Sequence, residues 1–405
     1  MKKIIIIEPG SSMLYIIKAV KILGYIPIIF CSINEYAGDQ KSFLEKQGYY
    51  EVNASTVDNI INCIQQNKIG DILGIISTAD RFITQACKAA MLLGVKGMDP
   101  SLLKLNNKAE VIRLIAEDSP PSIIFNRTSI PYHDLNNMLK VSNALVFKPS
   151  MSAGAKGLFE IKKEEEINNI GELMRKEKQV NVIDQDWVAQ PVIDGILYSL
   201  EGFVTNGKIN TIGMSQRMRI KYTESQNIFP VDERNPEVFL ILKRIVEDLI
   251  KTSGYKNGYL HSEAIFDGKK AFLIDANFGR IGGASVALQV ALATGKKVEE
   301  IYAHVIDVTF FGDKEYHSQF YPKEKSNTLS IYYSVNKDAT FLKLNLPENI
   351  KSDHVQVVDP GKRLKPAGND NRSWVGILTG KPDDVTREID LISVLTDCGP
   401  LKPVF

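Results

Sequence analysis

Two acidic residues that a hairpin would bring together are the first candidates for chemistry in this sequence. Asp275 follows Glu263 by twelve positions, and apolar-rich stretches flank the turn Asp267-Gly268 between them. We therefore predict two antiparallel strands that hold these carboxylates side by side. Because buried like charges repel, a hard divalent cation is the usual remedy, and such oxygen ligands suit Mg²⁺ or Mn²⁺. Asn277 and Arg280 follow, the latter with a planar donor fork for phosphate or carboxylate.

A glycine-rich loop earlier in the chain is the second candidate. The apolar run 144–148 ends at Lys148, and the following SMSAGAKGL contains Gly154, Ala155 and Gly157. Glycines let backbone N–H groups approach phosphate oxygens closely, and lysines supply compact positive charge. The loop fits neither GxxxxGK[ST] nor a GxGxxG that opens a helix, so we predict a strand, a flexible loop and a second strand. Taken singly, this loop also fits an ordinary hairpin connection, and the acidic segment a charged surface hairpin.

Four motifs in one order resemble the ATP-grasp superfamily of ATP-dependent carboxylate ligases. In chain order they are Lys108 in LNNKAEVIRLI, Lys148-Pro149 before the loop, the hinge-like AQPVIDGILYSLEG, and His261-Ser262-Glu263 with Asp275-Ala276-Asn277 and Arg280. The resemblance covers roughly residues 1–315. Within the superfamily, the chain is most similar to stand-alone L-amino-acid ligases, which make dipeptides or similar amides.

The resemblance implies a role for each matching residue. Glu263, Asp275 and Asn277 would hold the metal ions that bridge the phosphates of ATP, and Arg280 would steady the transferred phosphate. Nucleotide contacts are implied for Lys108, Lys148, Gly154, Ala155, Gly157, Gln190, Pro191 and Ile193. The lysines and the loop would face the phosphates, while the hinge backbone would recognise the adenine.

Three positions depart from the family pattern. Leu197 stands where the family usually has a glutamate that contacts ribose, and Ala155 stands where related ligases have a serine. Arg280 lies five residues after Asp275 rather than four, so Gly279 is a candidate insertion that would shift the arginine. We therefore expect another group to contact ribose and backbone donors to replace the serine.

A pair of arginines is the candidate binding site for the acid substrate. Gln216–Arg219 ends a strand that is predicted to face the metal site. Arginine binds a carboxylate through two parallel hydrogen bonds, so either Arg217 or Arg219 is suited to this task. We expect strand alternation to point only one of them inward, and we favour Arg217. His261 is predicted to share the face of Glu263, either as a hydrogen-bonding neighbour or as a catalytic group.

Composition indicates an enzyme of the cytoplasm. A length of 405 residues predicts two or three domains, and a net charge of +1 gives no electrostatic bias toward nucleic acid or membrane. The segment MKKIIIIEPG reads as a first strand rather than a signal peptide. The cysteines are widely spaced and lack a CxxC pattern, so we predict reduced thiols. They are Cys31, Cys63, Cys87 and Cys398.

Alternating strand and helix patterns define the predicted fold class, which is α/β. Apolar runs at 4–7, 27–30 and 72–76 alternate with helical patterns, which predicts an N-terminal parallel, Rossmann-like domain over residues 1–105. An ATP-grasp domain is predicted to follow. Its mobile lid, or small subdomain, is expected at 106–185, and its large subdomain with a C-terminal extension at 186–405.

These expectations define a predicted function with several alternatives. We predict a ligase that uses ATP and Mg²⁺ or Mn²⁺ to activate a carboxylate, such as an amino acid, as an acyl phosphate and to join it to an amine. The first alternative transfers the acyl group to a carrier-protein thiol. The others are activation of bicarbonate by a carboxylating enzyme and a nucleotide-binding module without turnover. Related enzymes are commonly dimers, so a homodimer is the candidate assembly.

Overall fold

The structure is a computed structural model of the chain. It describes residues 1–36, 38–152, 157–176, 185–283, 285–312, 320–368 and 371–405, and in these residues it forms four sheets. None of the helices in this part of the chain combines the length and the apolar character that a membrane-spanning helix needs. The predicted location in the cell stays a prediction.

The first sheet is parallel and confirms the predicted N-terminal α/β unit. Its strands are β1 (Lys3–Ile7), β2 (Ile26–Cys31), β3 (Tyr50–Glu51) and β4 (Ile72–Ile76). Its helices are α1 (Met13–Ile22), α2 (Gly38–Gln47), α3 (Val57–Gln66) and α4 (Asp80–Leu93). All four strands are parallel, in the order β3-β2-β1-β4. The chain adds β2 and β3 on one side of β1 and β4 on the other, and sheets of this type bind ligands at such a switch point. The sequence patterns did not predict α2 and β3.

The second sheet is antiparallel and belongs to the predicted lid. The helices α5 (Leu102–Leu105) and α6 (Lys108–Leu114) lead into it. Its strands are β5 (Ile123–Phe125), β6 (Leu145–Pro149), β7 (Phe159–Ile161) and β8 (Trp187–Pro191), in the order β5-β8-β6-β7. Its helices are α7 (Tyr132–Lys140), α8 (Glu164–Asn168) and α9 (Ile170–Lys176). Because β8 pairs with β5 and β6, this sheet extends past residue 185, where we predicted the lid to end.

The third sheet is the largest and carries the acidic hairpin. Its strands are β9 (Ile196–Thr205), β10 (Lys208–Ile220), β11 (Thr223–Phe229), β12 (Gly258–Phe266), β13 (Ala271–Asp275), β14 (Thr328–Tyr333), β16 (Asp353–Gln356) and β18 (Gly376–Gly380). They lie in the order β13-β12-β9-β10-β11-β14-β18-β16. The accompanying helices are α10 (Pro236–Ser253), α11 (Val286–Thr294) and α12 (Val298–Phe311).

The fourth sheet closes the chain and was not predicted. It contains β15 (Ala339–Asn345), β17 (Arg363–Leu364), β19 (Ser393–Thr396) and β20 (Gly399–Leu401), and α13 (Pro382–Ile389) precedes β19. Buried side chains join the first and third sheets in one core, while the second sheet has a core of its own around Phe147 and Trp187. The predicted lid is therefore a separately packed unit, whose mobility stays a prediction.

Candidate active site

The acidic hairpin carries its two carboxylates on directly opposite residues. β12 and β13 are antiparallel, and Glu263 pairs with Asp275 across them. Asp267 fixes the turn because its Oδ1 accepts hydrogen bonds from the backbone N–H groups of Lys269 at 2.8 Å and Lys270 at 2.7 Å. Directly opposed residues in a sheet share a face. The structure thus brings the two predicted metal ligands together.

The donor set at this hairpin fits a magnesium ion. Asn277 follows β13 with a left-handed φ of 25°, and its carbonyl oxygen accepts a hydrogen bond of 3.0 Å from the His261 N–H. This bond keeps the third predicted ligand beside β12. Two carboxylates and an amide are hard oxygen donors, and Mg²⁺ takes its other ligands from water and phosphate. Within the described ranges, no group of three or more His, Cys, Asp or Glu side chains is arranged to hold a metal ion.

Both predicted lysines reach the end of this hairpin, Lys108 from α6 and Lys148 from the lid strand β6. Lys108 is the first residue of α6, and its Nζ lies 3.1 Å from Asp275 Oδ1 and 2.8 Å from the Ser152 carbonyl oxygen. Lys148 Nζ donates to the Ile274 carbonyl oxygen at 3.1 Å. Two ammonium groups therefore meet two carboxylates where the lid and the third sheet touch. Positive charge of this kind suits the phosphates of a nucleotide.

The buried ionic side chains beside Glu263 form a continuous chain. His261 contacts Glu201 through Nδ1 and Glu263 Oε1 through Nε2, the latter at 3.0 Å. Arg217 contacts Glu263 through Nη1 and binds Glu224 through Nε at 2.8 Å and Nη2 at 2.6 Å. Burial alone would raise the pKa of Glu263, but Arg217 and His261 hold it well below its usual range. Burial opposes charge on His261, but Glu201 and Glu263 raise its pKa to about 9.

The position of Arg217 changes what can be expected of it. Its donor fork is occupied by Glu224, and its remaining nitrogen by Glu263. In this structure, Arg217 holds Glu263, a predicted metal ligand, in place. The predicted contact of Arg217 with the acid substrate stays a prediction, because its guanidinium nitrogens are already engaged. Strand alternation does not separate Arg217 from Arg219 in the way we expected. Residues two apart in a strand share a face, and both belong to β10.

Arg280 faces the first sheet. Its Nε and Nη2 contact the two carboxylate oxygens of Asp80, the Nη2 bond at 2.8 Å, and its Nη1 donates to the Ile281 carbonyl oxygen at 3.1 Å. Asp80 is the first residue of α4, at the edge of the sheet where β1 and β4 diverge. The preceding Gly279 has a left-handed φ of 90°, and a Cβ there would come within 2.9 Å of Leu102. The predicted contact of Arg280 with phosphate stays a prediction.

The predicted hinge lies between two sheets. Asp194-Gly195 connects β8 of the second sheet to β9 of the third and so does not close a hairpin. Gln190 uses its side chain inside the lid, where Nε2 donates to Ser122 Oγ at 2.8 Å. Pro191 pairs with Leu145 across β8 and β6. Adenine recognition at Gln190, Pro191 and Ile193 stays a prediction.

The glycine-rich loop is described only in part. Gly154 and Ala155 lie outside the described residues. Gly157 lies within them and has a left-handed φ of 75°. As predicted, β6 and β7 flank the loop and pair antiparallel, with Phe147 opposite Phe159. The role of the loop in phosphate binding stays a prediction.

Three site residues were missing from the predicted set. Glu201 is fully buried between His261 and the Gly282 N–H, which donates to its Oε2 at 3.2 Å. Glu224 and Asp80 hold the forks of Arg217 and Arg280. Asp80 was recognisable from its position just after the third apolar run. The glutamates carried no local signal, because their partners lie on other strands.

Comparison with known proteins gives no match by sequence and clear matches by structure. No protein-family model matches the chain, and no curated protein matches its sequence. L-amino acid ligase from Bacillus licheniformis matches with a TM-score of 0.74 at 16% identity, over 94% of this chain and 93% of that chain. Phosphoribosylglycinamide synthetase from Anaerococcus prevotii matches with a TM-score of 0.68 at 16% identity, over 97% and 99%.

A third match comes from a structure that contains nucleotide. The biotin carboxylase domain of Hydrogenobacter thermophilus 2-oxoglutarate carboxylase, a dimer with MgADP, ADP and bicarbonate, has a TM-score of 0.71 at 13% identity. The match covers 99% of this chain and 91% of that chain. The chain therefore has the fold of these three enzymes, which confirms the predicted α/β architecture. At these identities the likeness establishes the fold alone.

Removing the charge of Lys148 is predicted to stabilise the protein without nucleotide. Burial, followed by the charge of Lys108, lowers the pKa of Lys148 to about 8 from 10.5. Between pH 8 and pH 10.5 the unfolded chain binds more protons at Lys148 than the folded chain does. The charged lysine therefore lowers the free energy of unfolding by its full amount below pH 8, and this penalty decreases as the pH rises. Lys148→Met should therefore raise the unfolding midpoint at pH 7, and the gain should shrink toward pH 10. Chemical denaturation across this pH range measures it.

The exposed Lys140 provides the control for this experiment, since Lys140→Met removes an equal charge from the lid surface and should change the midpoint little. Lower stability of Lys148→Met at pH 7 would contradict the burial argument. With MgATP present, the same variant should gain less stability than the wild type, because it lacks one phosphate contact.

Arg217→Gln is predicted to be strongly destabilising. The substitution leaves Glu224 and Glu263 as buried carboxylates without their cation, which typically costs about 3–5 kcal/mol. Urea denaturation gives the free energy of unfolding. Arg244→Gln, which removes an ion pair formed by an exposed side chain of α10, should cost less than about 1 kcal/mol. Equal losses in the two variants would show that Arg217 does not hold a buried network together.

Proposed function

We propose that this protein is an ATP-dependent ligase that activates a carboxylate as an acyl phosphate and joins it to an amine. The observation that carries the proposal is the convergence of Lys108 and Lys148 on the Glu263–Asp275 hairpin, at the contact between the lid and the third sheet. Lys148 on the lid faces carboxylates of the third sheet, and opposite charges on two separately packed units suit a phosphate chain bound between them. The fold of ATP-grasp enzymes supports this interpretation.

Magnesium would be held by Glu263, Asp275 and the amide oxygen of Asn277, with Mn²⁺ as a chemical substitute of the same hard-donor class. When bound, the ion would offset the negative charge of the phosphates. The chain's own residues would do the positioning. Lys108 and Lys148 would then exchange their present oxygen partners for phosphate oxygens, and an adjacent anion would raise the lowered pKa of Lys148.

The proposed reaction has two steps. A carboxylate oxygen of the acid attacks the γ-phosphorus of ATP, the bond from this phosphorus to the bridging oxygen breaks, and ADP leaves. The amine then attacks the carbonyl carbon of the acyl phosphate, and phosphate leaves with the former carboxylate oxygen. Across both steps, an ammonium form of the amine gives one amide and releases one proton. Closure of the lid would keep water from the acyl phosphate.

An amino acid is the proposed acid substrate. The match to an L-amino acid ligase supports this class of substrate. The hydroxyls of Ser12 and Thr78, where the first sheet meets the Arg280 segment, suit a polar substrate. Transfer to a carrier-protein thiol shares the first step and remains the alternative to test. We also propose a homodimer as the assembly.

A screen of ADP release across pairs of amino acids with Mg²⁺, followed by product mass, tests the proposed function. We expect ADP release to depend on two free amino acids and the product to have the mass of a dipeptide. Release that requires a carrier protein would favour the thiol route, and release with bicarbonate alone would favour a carboxylating enzyme. ATP binding without release under any condition would leave only a binding module and would contradict the proposal.

Asp275→Asn is predicted to reduce ADP release at least about 100-fold, because the loss of one carboxylate removes charge from the ion that neutralises the phosphates. Asp267→Asn provides a matched control, since Asp267 lies in the turn of the same hairpin, where an amide oxygen can accept the same backbone hydrogen bonds. Steady-state rates of both variants give the answer. Full activity of Asp275→Asn would remove the assigned metal role.

A further inference from the structure

Two of the three arginines near the acidic hairpin are already engaged by carboxylates. Arg217 binds Glu224 through Nε and Nη2, and its Nη1 contacts Glu263. Arg280 binds the carboxylate of Asp80 through Nε and Nη2. A guanidinium in a bidentate ion pair has few donors left for a ligand. Neither arginine is therefore well placed to receive an incoming phosphate without first giving up a buried partner.

Arg219 is the third arginine, and its guanidinium is not engaged in this way. It follows Arg217 by two positions on β10 and so projects from the same face of the sheet. A bulge in β11 between Glu224 and Gln226 leaves Glu224 opposite Arg219, while the carboxylate of Glu224 binds Arg217. Across the part of the chain that the structure describes, Arg219 forms no ion pair or side-chain hydrogen bond, and part of the residue is open to solvent.

The surroundings of Arg219 place it between the metal-binding carboxylates and the lid. Burial lowers the pKa of the Arg219 guanidinium, the charge of nearby Glu263 opposes this shift, and that of Arg217 adds to it. On its other side, the hydroxyl of Tyr222, which precedes β11, donates a hydrogen bond to Glu160 on lid strand β7. An anion that bridges the Glu263–Asp275 hairpin and the closed lid would pass this guanidinium.

We propose that Arg219 contacts the phosphoryl group that ATP transfers, while Arg217 and Arg280 act as positioning residues for Glu263 and for the first sheet. This inference rests on the proposed function. It assigns the contact with the transferred phosphate to Arg219, whereas the sequence analysis assigned it to Arg280. The fork of Arg219 matches the terminal phosphate because two parallel N–H donors can meet two of its oxygens. The α- and β-phosphates are left to the lysines.

Binding of two nucleotides that differ in the terminal phosphate tests this assignment without requiring a substrate. Calorimetry would compare MgADP with the magnesium complex of β,γ-imido-ATP in the wild type, Arg219→Gln and Lys208→Gln. Lys208 is an exposed cation at the opposite end of the same strand, so its variant controls for lost surface charge. We expect Arg219→Gln to weaken binding of the imido analogue at least about tenfold and binding of MgADP less than about threefold. Lys208→Gln should change neither.

Each contrary result has a distinct meaning. Equal affinities of wild type and Arg219→Gln for the imido analogue would overturn the proposal, and so would a parallel loss of MgADP binding, which would place Arg219 elsewhere on the nucleotide or in the fold. A higher KM for the acid at unchanged kcat would reassign Arg219 to the carboxylate substrate and overturn the phosphoryl contact. If the wild type binds neither nucleotide, the proposed function fails, and that result is separate from any effect of Arg219.

Discussion

Glu263 and Asp275 face each other on adjacent strands, and much of the site is organised around the cost of holding two negative charges so close together. Lys108 offsets Asp275, while Arg217 and His261 offset Glu263. Arg217 and His261 outweigh the effect of burial and hold the pKa of Glu263 well below its usual range, so that Glu263 is ionised, which is the state that a metal ion requires of its ligands.

The partners of the two carboxylates differ in a way that bears on function. Asp275 is offset by Lys108, the first residue of α6, which also touches the lid segment at Ser152. Glu263 is offset by Arg217 and His261, which belong to the third sheet and bind Glu224 and Glu201. One carboxylate is therefore held in a buried ionic network, while the other is paired with a lysine, a point charge on a flexible stem. Preorganisation of the first lowers the cost of assembling the site.

The part of the site that the sequence predicted well is local. Glu263 and Asp275 share one hairpin, so the turn at Asp267-Gly268 was enough to pair them. Apolar runs likewise identified the strands of the first sheet, because buried parallel strands have continuous apolar sequence. The order of Lys108, Lys148 and the hairpin indicated the fold despite identities near 16% to its structural matches.

The contacts that the sequence did not predict depend on long-range register. Glu201 meets His261 only because β9 lies beside β12, and Arg280 meets Asp80 only because the third sheet packs against the first. The sequence did not reveal that Arg217 is already bound, because its carboxylate partner, Glu224, lies on the next strand between a turn and a bulge. The return of β8 to pair with β5 and β6 was likewise not predicted. Such pairings follow from packing rather than from local pattern.

A crystal structure of the protein with MgADP would show whether the acidic hairpin holds the metal ion. We expect a magnesium ion between the phosphates and the oxygens of Glu263 and Asp275, at about 2.0–2.1 Å from each coordinating atom. We also expect Lys108 Nζ and Lys148 Nζ to leave their present partners and contact phosphate oxygens. A nucleotide bound away from the β12–β13 hairpin, or these carboxylates still paired only with Lys108 and Arg217, would contradict this expectation.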